Sequence, residues 1–265
     1  MKISIVTISY NQAGYLEETI LSVLNQDYSK LEYIIIDGGS SDGSIDIIKK
    51  YESQLAFWVS QKDKGPADAL NKGFAQATGD FFFYLNSDDQ LLPSSISKVV
   101  KFISDNPGFD VYYGHGFMKN EKNHTTSKIY SDLWSLYGYR YGRVSIIQQA
   151  TFISKQAYLR TKGFNLNNKT CWDGELLVDL ALSGAKFKRY FSHVALFRIH
   201  DDSITGSGER NDLHQRTRQE INDRIDQHTQ FIFKSRFIAT IWEILNDPII
   251  KIKKWIAASN RKSRT

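Results

Sequence analysis

Three runs of polar residues break otherwise apolar stretches early in the chain, and each carries groups able to hold a ligand. They are Ser9-Tyr10-Asn11, Asp37-Gly38-Gly39-Ser40-Ser41-Asp42-Gly43 and Ser87-Asp88-Asp89. Asp37 can accept hydrogen bonds from a base or a ribose, and Tyr10 can stack on a planar ring. Adjacent loop carboxylates such as Asp88 and Asp89 suit a hard divalent cation, which in turn bridges diphosphate oxygens. Each run also has a plainer reading. The glycine-rich one serves equally as a tight turn capping a helix through Ser41 or Asp42, and an acidic pair in a loop is commonly just solvated. No GxGxxG follows the first apolar run and no GxxxxGK[ST] occurs anywhere, which disfavours a dinucleotide oxidoreductase or a P-loop enzyme.

All three runs stand where a strand should stop. The pattern predicts strands over residues 3–8, 33–36, 57–60 and 81–85, and the run 33–36 is nearly all β-branched, as a parallel strand covered on both faces requires. Helical spacing puts Leu16, Ile20, Val23 and Leu24 on one face, and further helices are predicted near 45–51, 67–77 and 94–104. Ligands of open α/β sheets bind beyond the carboxyl ends of the strands, so one crevice would receive all three polar runs. Downstream the pattern predicts strands near 111–118 and 128–131, a helix over 172–183, and a strand over 187–198 in two pieces. A boundary is expected near residue 205, dividing a compact domain 1–205 from a helical extension 206–265.

With 41% hydrophobic and 13% aromatic residues, the chain can bury enough apolar surface to offset its ordering entropy, which excludes disorder. The net charge of +5 suits nucleotide phosphates, anionic lipid or nucleic acid without choosing among them. Cys171 is the only cysteine, so a disulfide-stapled secreted scaffold is not expected. The N-terminal run turns polar at Asn11-Gln12, too early for a signal-peptide core. Lys234 and Arg236 interrupt the best apolar stretch, residues 231–245, well short of the roughly 20 residues a membrane crossing needs. A cytoplasmic protein is the expectation.

Taken in order, SYNQ, IIIDGGSSDGS, DKGPADALNKGFAQATGDFFFYLNSDD, QQATFI, WDGELLVDLALSGAKF and FRIHDDSIT resemble the family 2 glycosyltransferases over residues 1–205. The resemblance implies a GT-A fold, a Rossmann-like α/β architecture with a mainly parallel central sheet flanked by helices. It also implies inverting transfer of a sugar from a nucleotide diphosphate donor to an acceptor hydroxyl, as in bacterial polysaccharide or O-antigen-type transferases. By the same likeness, Thr7 and Tyr10 fall in the first nucleotide loop, Asp37 matches the base-binding aspartate, and Asp68 lies in the segment that closes over the nucleoside. Asp88 and Asp89 match the Asp-Xaa-Asp-type motif, Asp88 near the ribose and Asp89 on a Mn²⁺ or Mg²⁺ ion. Asn86 or Ser87 stands where many relatives carry a further aspartate. His200 takes the place of a histidine that completes the metal site, although a lone histidine is as often structural.

Asp173 matches the family's general base, with Glu175 in reserve; an aspartate in a first helical turn can instead satisfy backbone donors. Gln148 and Gln149 match a motif lining the acceptor side, where Trp172 is also assigned, and Cys171 is read as packing. The carrier implied is uridine diphosphate, with guanosine or thymidine forms as alternatives, and the acceptor is a glycan or lipid-linked glycan serving cell-surface polysaccharide synthesis.

Beyond residue 210 the aromatics Phe231, Phe233, Phe237 and Trp242 lead into Ile249-Ile250-Lys251-Ile252-Lys253-Lys254-Trp255-Ile256. Two readings of that mixture stand: an interfacial helix giving peripheral contact with the inner face of the plasma membrane, or an appendage packed on the core or on a second subunit of a homo-oligomer. A noncatalytic sugar-nucleotide or glycan-binding protein remains the alternative to an enzyme. A nucleotidyltransferase should have a glycine- and lysine-rich loop where this chain has Tyr10-Asn11-Gln12, and nucleic acid is not an expected partner.

Overall fold

The first part of the chain alternates strand and helix: β1 (Ile3–Ser9), α1 (Ala13–Leu24), β2 (Leu31–Asp37), α2 (Ser44–Tyr51), β3 (Phe57–Ser60), α3 (Pro66–Gln76) and β4 (Phe81–Asn86). The computed structural model describes residues 1–200, 211–229 and 235–262. All four of these strands run parallel in the order β3-β2-β1-β4. β2 is buried on both faces from Glu32 to Asp37, as its β-branched composition requires. One side of the sheet packs on Leu16, Ile20 and Val23 of α1, the other on Leu70 and Phe74 of α3. Gly73 lets α3 approach closely, since a Cβ there would lie 2.4 Å from Cγ1 of Val6.

There follow β5 (Gln90–Leu91), α4 (Ser95–Asp105), β6 (Val111–Asn120), β7 (Thr125–Ile129), α5 (Leu136–Arg140), β8 (Thr151–Ser154), α6 (Lys155–Leu159), α7 (Trp172–Leu182) and β9 (Phe187–Ile199). Beyond β4 the sheet is mixed. β8 pairs antiparallel with both β4 and β6, β6 runs parallel to β9, β5 closes the far edge, and β7 hangs on β6. The mainly parallel sheet that was expected is parallel through its first half and mixed beyond it, with four of the eight strand pairings among the described residues antiparallel. The strand expected in two pieces is one, β9, and the irregularity resides in its pairing with β6, which shifts register around His115. The strand expected near 128–131 is β7, displaced to Thr125–Ile129; Ser131 leaves the ladder to donate its N–H to Nδ1 of His115 and its hydroxyl to the Gly114 carbonyl.

The C-terminal part forms α8 (Asn211–His228), α9 (Arg236–Asn246) and α10 (Pro248–Lys262). Ile221 and Ile225 of α8 enter a small core with Tyr139, Val144 and Val178. The boundary expected near residue 205, and Phe231 and Phe233, lie outside the described residues. No described helix is long and apolar enough to cross a membrane.

Candidate functional site

Because the four leading strands are parallel, their carboxyl ends share one edge. Ser9 pairs with Asp37, Asp37 with Ser60, and Ile8 with Asn86, so Asp37 and Asn86 stand two strand spacings apart, about 10 Å. Asp37 is fully enclosed. Its Oδ2 accepts the N–H groups of Gly39 (3.0 Å) and Ser40 (2.9 Å) and the Ser60 hydroxyl (2.6 Å), while Oδ1 takes the Ser40 hydroxyl (2.5 Å). Gly39 supplies the φ of +86° that this wrap needs. Asp42 accepts from Ser44 through one oxygen and from the Ala13 N–H of α1 through the other. The DGGSSDG run is thus a capped turn, and that turn also forms the rim of the crevice. Tyr10 stands on this rim, 62% exposed. A Cβ on Gly38 would come within 3.2 Å of the Tyr10 ring and 2.8 Å of the Asp63 carboxylate, so the glycine keeps a gap between a ring and an acid.

Thr7 does not join them. Expected in the first nucleotide loop, it is fully buried within β1 with its hydroxyl 3.0 Å from that of Tyr33, because its alternation in the strand turns the side chain into the core. Asp68, in the first turn of α3, takes the Lys64 N–H (3.0 Å) and Lys72 (3.1 Å) on Oδ2. It braces the segment whose Asp63 accepts the Gly65 N–H.

At the end of β4 the two adjacent aspartates part company. Asp89 is fully buried; Oδ1 accepts the Arg198 N–H (2.9 Å), and Oδ2 accepts the amides of Gln149 (2.8 Å) and Asn86 (3.3 Å). Burial, then the charge of Asp88, pushes its carboxyl well above the usual aspartate range. Asp88 is partly exposed, and its Oδ2 lies 3.1 Å from Nε2 of His200. Asp89, expected on a metal, thus has its oxygens engaged inside the fold, and Asp88, expected near a ribose, is the carboxylate that stands beside His200. An oxygen and an imidazole nitrogen this close form a donor pair suited to a divalent ion. Among the described residues no group of three or more His, Cys, Asp or Glu could hold a metal ion.

Sequence reasoning missed what holds this loop. Arg198, 3% exposed, donates Nε to the Asp88 carbonyl (2.9 Å), pairs with Glu18 and Glu121, and lies 4.8 Å from the centre of the Tyr15 ring. Tyr15 in turn packs on His200 at 4.6 Å. Thr19 reaches across from α1, its hydroxyl 2.7 Å from the carbonyls of both Ser87 and Asp89. The one signal available was that Arg198 and His200 sit two apart where the last strand ends.

Asp173 lies in the first turn of α7 and lines a small pocket with Tyr84, Gln148, Thr151, Ile153, Leu176 and Leu177. Gln148 donates to the Tyr84 carbonyl at 2.7 Å, while its neighbour Gln149 holds Asp89. The Asp173 pocket and the aspartate loop are therefore joined through consecutive residues. Burial raises the Asp173 carboxyl above its ordinary range, and the backbone N–H groups of the helix start, His214 and Arg218 pull it partly back. Burial pushes the Tyr84 phenol well up, with Asp173 and Asp89 adding to the effect.

Three residues expected on this side are held inside the fold. Gln149 is buried and occupied by Asp89, and Trp172 is buried in the core around Phe74 and Leu176, so neither opens to an acceptor. Glu175 is buried, accepting from Asn165, Asn168 (2.7 Å) and Arg224 (3.1 Å), which removes the reserve base. Cys171 is buried, its thiol raised by burial, in keeping with packing.

Residues 4–165 match the family described as Glycosyl transferase family 2. A Campylobacter jejuni enzyme named GalNAc(5)-diNAcBac-PP-undecaprenol beta-1,3-glucosyltransferase is 29% identical over 233 residues, 79% of this chain and 69% of that one. The crystal structure of Staphylococcus aureus TarS 1-349 with UDP-GlcNAc superposes with a TM-score of 0.67 at 17% identity, covering 86% of this chain and 70% of that one. A mannosyltransferase from Pyrobaculum calidifontis, in complex with GDP-Man and Mn2+, superposes with a TM-score of 0.62 at 16% identity, covering all of this chain and 76% of that one. At those identities the likeness shows a shared fold.

Proposed function

The chain belongs to glycosyl transferase family 2, and from that premise we propose that it moves a sugar, with inversion, from a nucleotide diphosphate carrier to an acceptor hydroxyl in bacterial cell-surface polysaccharide synthesis. The nucleoside would lie against Tyr10 and Gly38 over the Asp37 turn. Asp88 and His200 would hold a Mn²⁺ or Mg²⁺ ion, whose contribution when bound is to neutralise charge on the diphosphate. Asp173 would take the proton from the acceptor hydroxyl, within the pocket that Gln148 shares. The observation that carries this reading is the placement of Asp173 in a pocket with Tyr84 and Gln148, next along the chain from the residue that holds Asp89.

Uridine diphosphate is the preferred carrier, supported by the UDP-GlcNAc complex of the TarS fold relative; the GDP-Man complex of the mannosyltransferase keeps a guanosine carrier as the alternative. The acceptor proposed is a glycan or lipid-linked glycan, in line with the undecaprenol named for the Campylobacter relative, and the setting is the cytoplasm at the inner face of the plasma membrane. Thermal unfolding with a panel of nucleotide sugars, with and without Mn²⁺, tests the donor assignment, since a ligand at a hundred times its Kd stabilises by about 2.7 kcal/mol. Equal melting curves with every nucleotide sugar and metal would refute it.

A further inference from the structure

Helices α9 and α10 use one stripe to pack on the protein and leave the opposite stripe bare. The packed stripe runs through Ala239, Glu243, Asp247, Ile250 and Lys251, recurring every three or four residues as one helix face does. It continues across the break between the helices, because Asp247 donates its N–H to the Glu243 carbonyl and Lys251 to that of Asp247. Charge fixes it in place: Asp247 forms a two-pronged pair with Arg189, while Asp132 takes Lys251 (3.0 Å) and Lys254 (2.6 Å).

The bare stripe is apolar. On α9 it comprises Phe237 (74% exposed), Ile241, Ile244 and Leu245 (74%), spaced i, i+4, i+7 and i+8. On α10 it continues through Ile249, Ile252, Trp255 (71%) and Ile256. Single exposed apolar residues are ordinary, whereas eight on contiguous helical stripes mark an interaction surface.

Charge names the occupant. Both acidic residues of these helices and their junction, Glu243 and Asp247, are buried on the packed side. The exposed charged residues on this part are basic, Arg236 at the start of α9 and Lys253 beside the apolar stripe, and the sequence continues with Arg261, Lys262 and Arg264. We propose that α9 and α10 dock flat on an anionic lipid surface, with Phe237, Leu245, Ile249 and Trp255 entering the acyl boundary and the basic residues meeting lipid phosphates. A second copy of this chain would bring basic rims against each other, which like charge opposes. This surface is separate from the crevice, so vesicle binding is read without donor or acceptor.

The test is flotation of the full chain with phosphatidylcholine vesicles and with vesicles in which phosphatidylglycerol replaces part of the phosphatidylcholine. The wild type should float with the anionic vesicles and lose at least tenfold of that binding without phosphatidylglycerol or at high salt. Leu245→Glu/Trp255→Glu should lose binding by a similar factor with an unchanged melting temperature, because both side chains are exposed. Arg236→Glu/Lys253→Glu, which leaves the apolar stripe intact, should weaken it in the anionic arm. Wild type left at the bottom with both vesicles, or floating equally well as the Glu variants, overturns the proposal. So does a concentration-dependent dimer, abolished by Leu245→Glu/Trp255→Glu, in a chain that ignores lipid.

Discussion

Oδ2 of Asp88 and Nε2 of His200, 112 residues apart in the sequence, lie 3.1 Å apart, while the neighbouring Asp89 turns inward to the Arg198 N–H, Gln149 and Asn86. The two adjacent carboxylates thus have different duties, and substitution should separate them.

Asp88→Asn or His200→Ala is expected to weaken Mn²⁺-dependent nucleotide binding by about 10- to 100-fold, the range seen when a metal's surroundings are altered. Isothermal titration of UDP with and without Mn²⁺ reads this directly. Metal-dependent affinity that survives both changes would place the ion elsewhere.

Asp89→Ala should leave the Arg198 N–H and the buried Gln149 amide unsatisfied, at a cost of about 2 to 3 kcal/mol in stability; Asp88→Ala, at a partly exposed site, should cost far less. Urea unfolding of both variants checks the contrast. Burial raises the Asp89 pKa, so the folded state holds this proton more tightly than the unfolded chain. The resulting contribution is full below the unfolded pKa and is lost as pH rises through the folded one. Asp89→Asn should remove that part of the pH dependence.

A base must be ionised to work, so the rate should fall as pH drops through the Asp173 pKa. Because burial raises that pKa, the acid limb of kcat/KM should lie above the ordinary aspartate value of about 3.9. Arg218 pulls it down, and Arg218→Met should move the limb to higher pH. A limb that stays fixed in Arg218→Met would show that another group titrates.

The parallel half of the fold was readable because each of its strands is an apolar run ending at a polar turn, and the helix faces between them follow a helical period. Strand β8 was not, since Thr151–Ser154 stands outside the strand–helix alternation and is held by antiparallel pairing with the distant β4 and β6. Adjacency hid the different surroundings of Asp88 and Asp89, because a turn sends consecutive side chains in different directions and the partners of Asp89, Arg198 and Gln149, are distant in the sequence. The same limit applied to Glu175, whose partners Asn168 and Arg224 are recognisable only once α8 is seen against α7. The tail's two readings were both legible, and α9 and α10 show why neither excluded the other: one stripe packs and the opposite one is bare.

Asp173→Asn is the most direct measurement, since it keeps the shape of the side chain and removes its basicity. Transfer from the best donor should fall by about 10²- to 10⁴-fold, while UDP affinity in the presence of Mn²⁺ stays within about twofold of wild type. Transfer at the wild-type rate would contradict the account, and so would loss of nucleotide binding in step with activity.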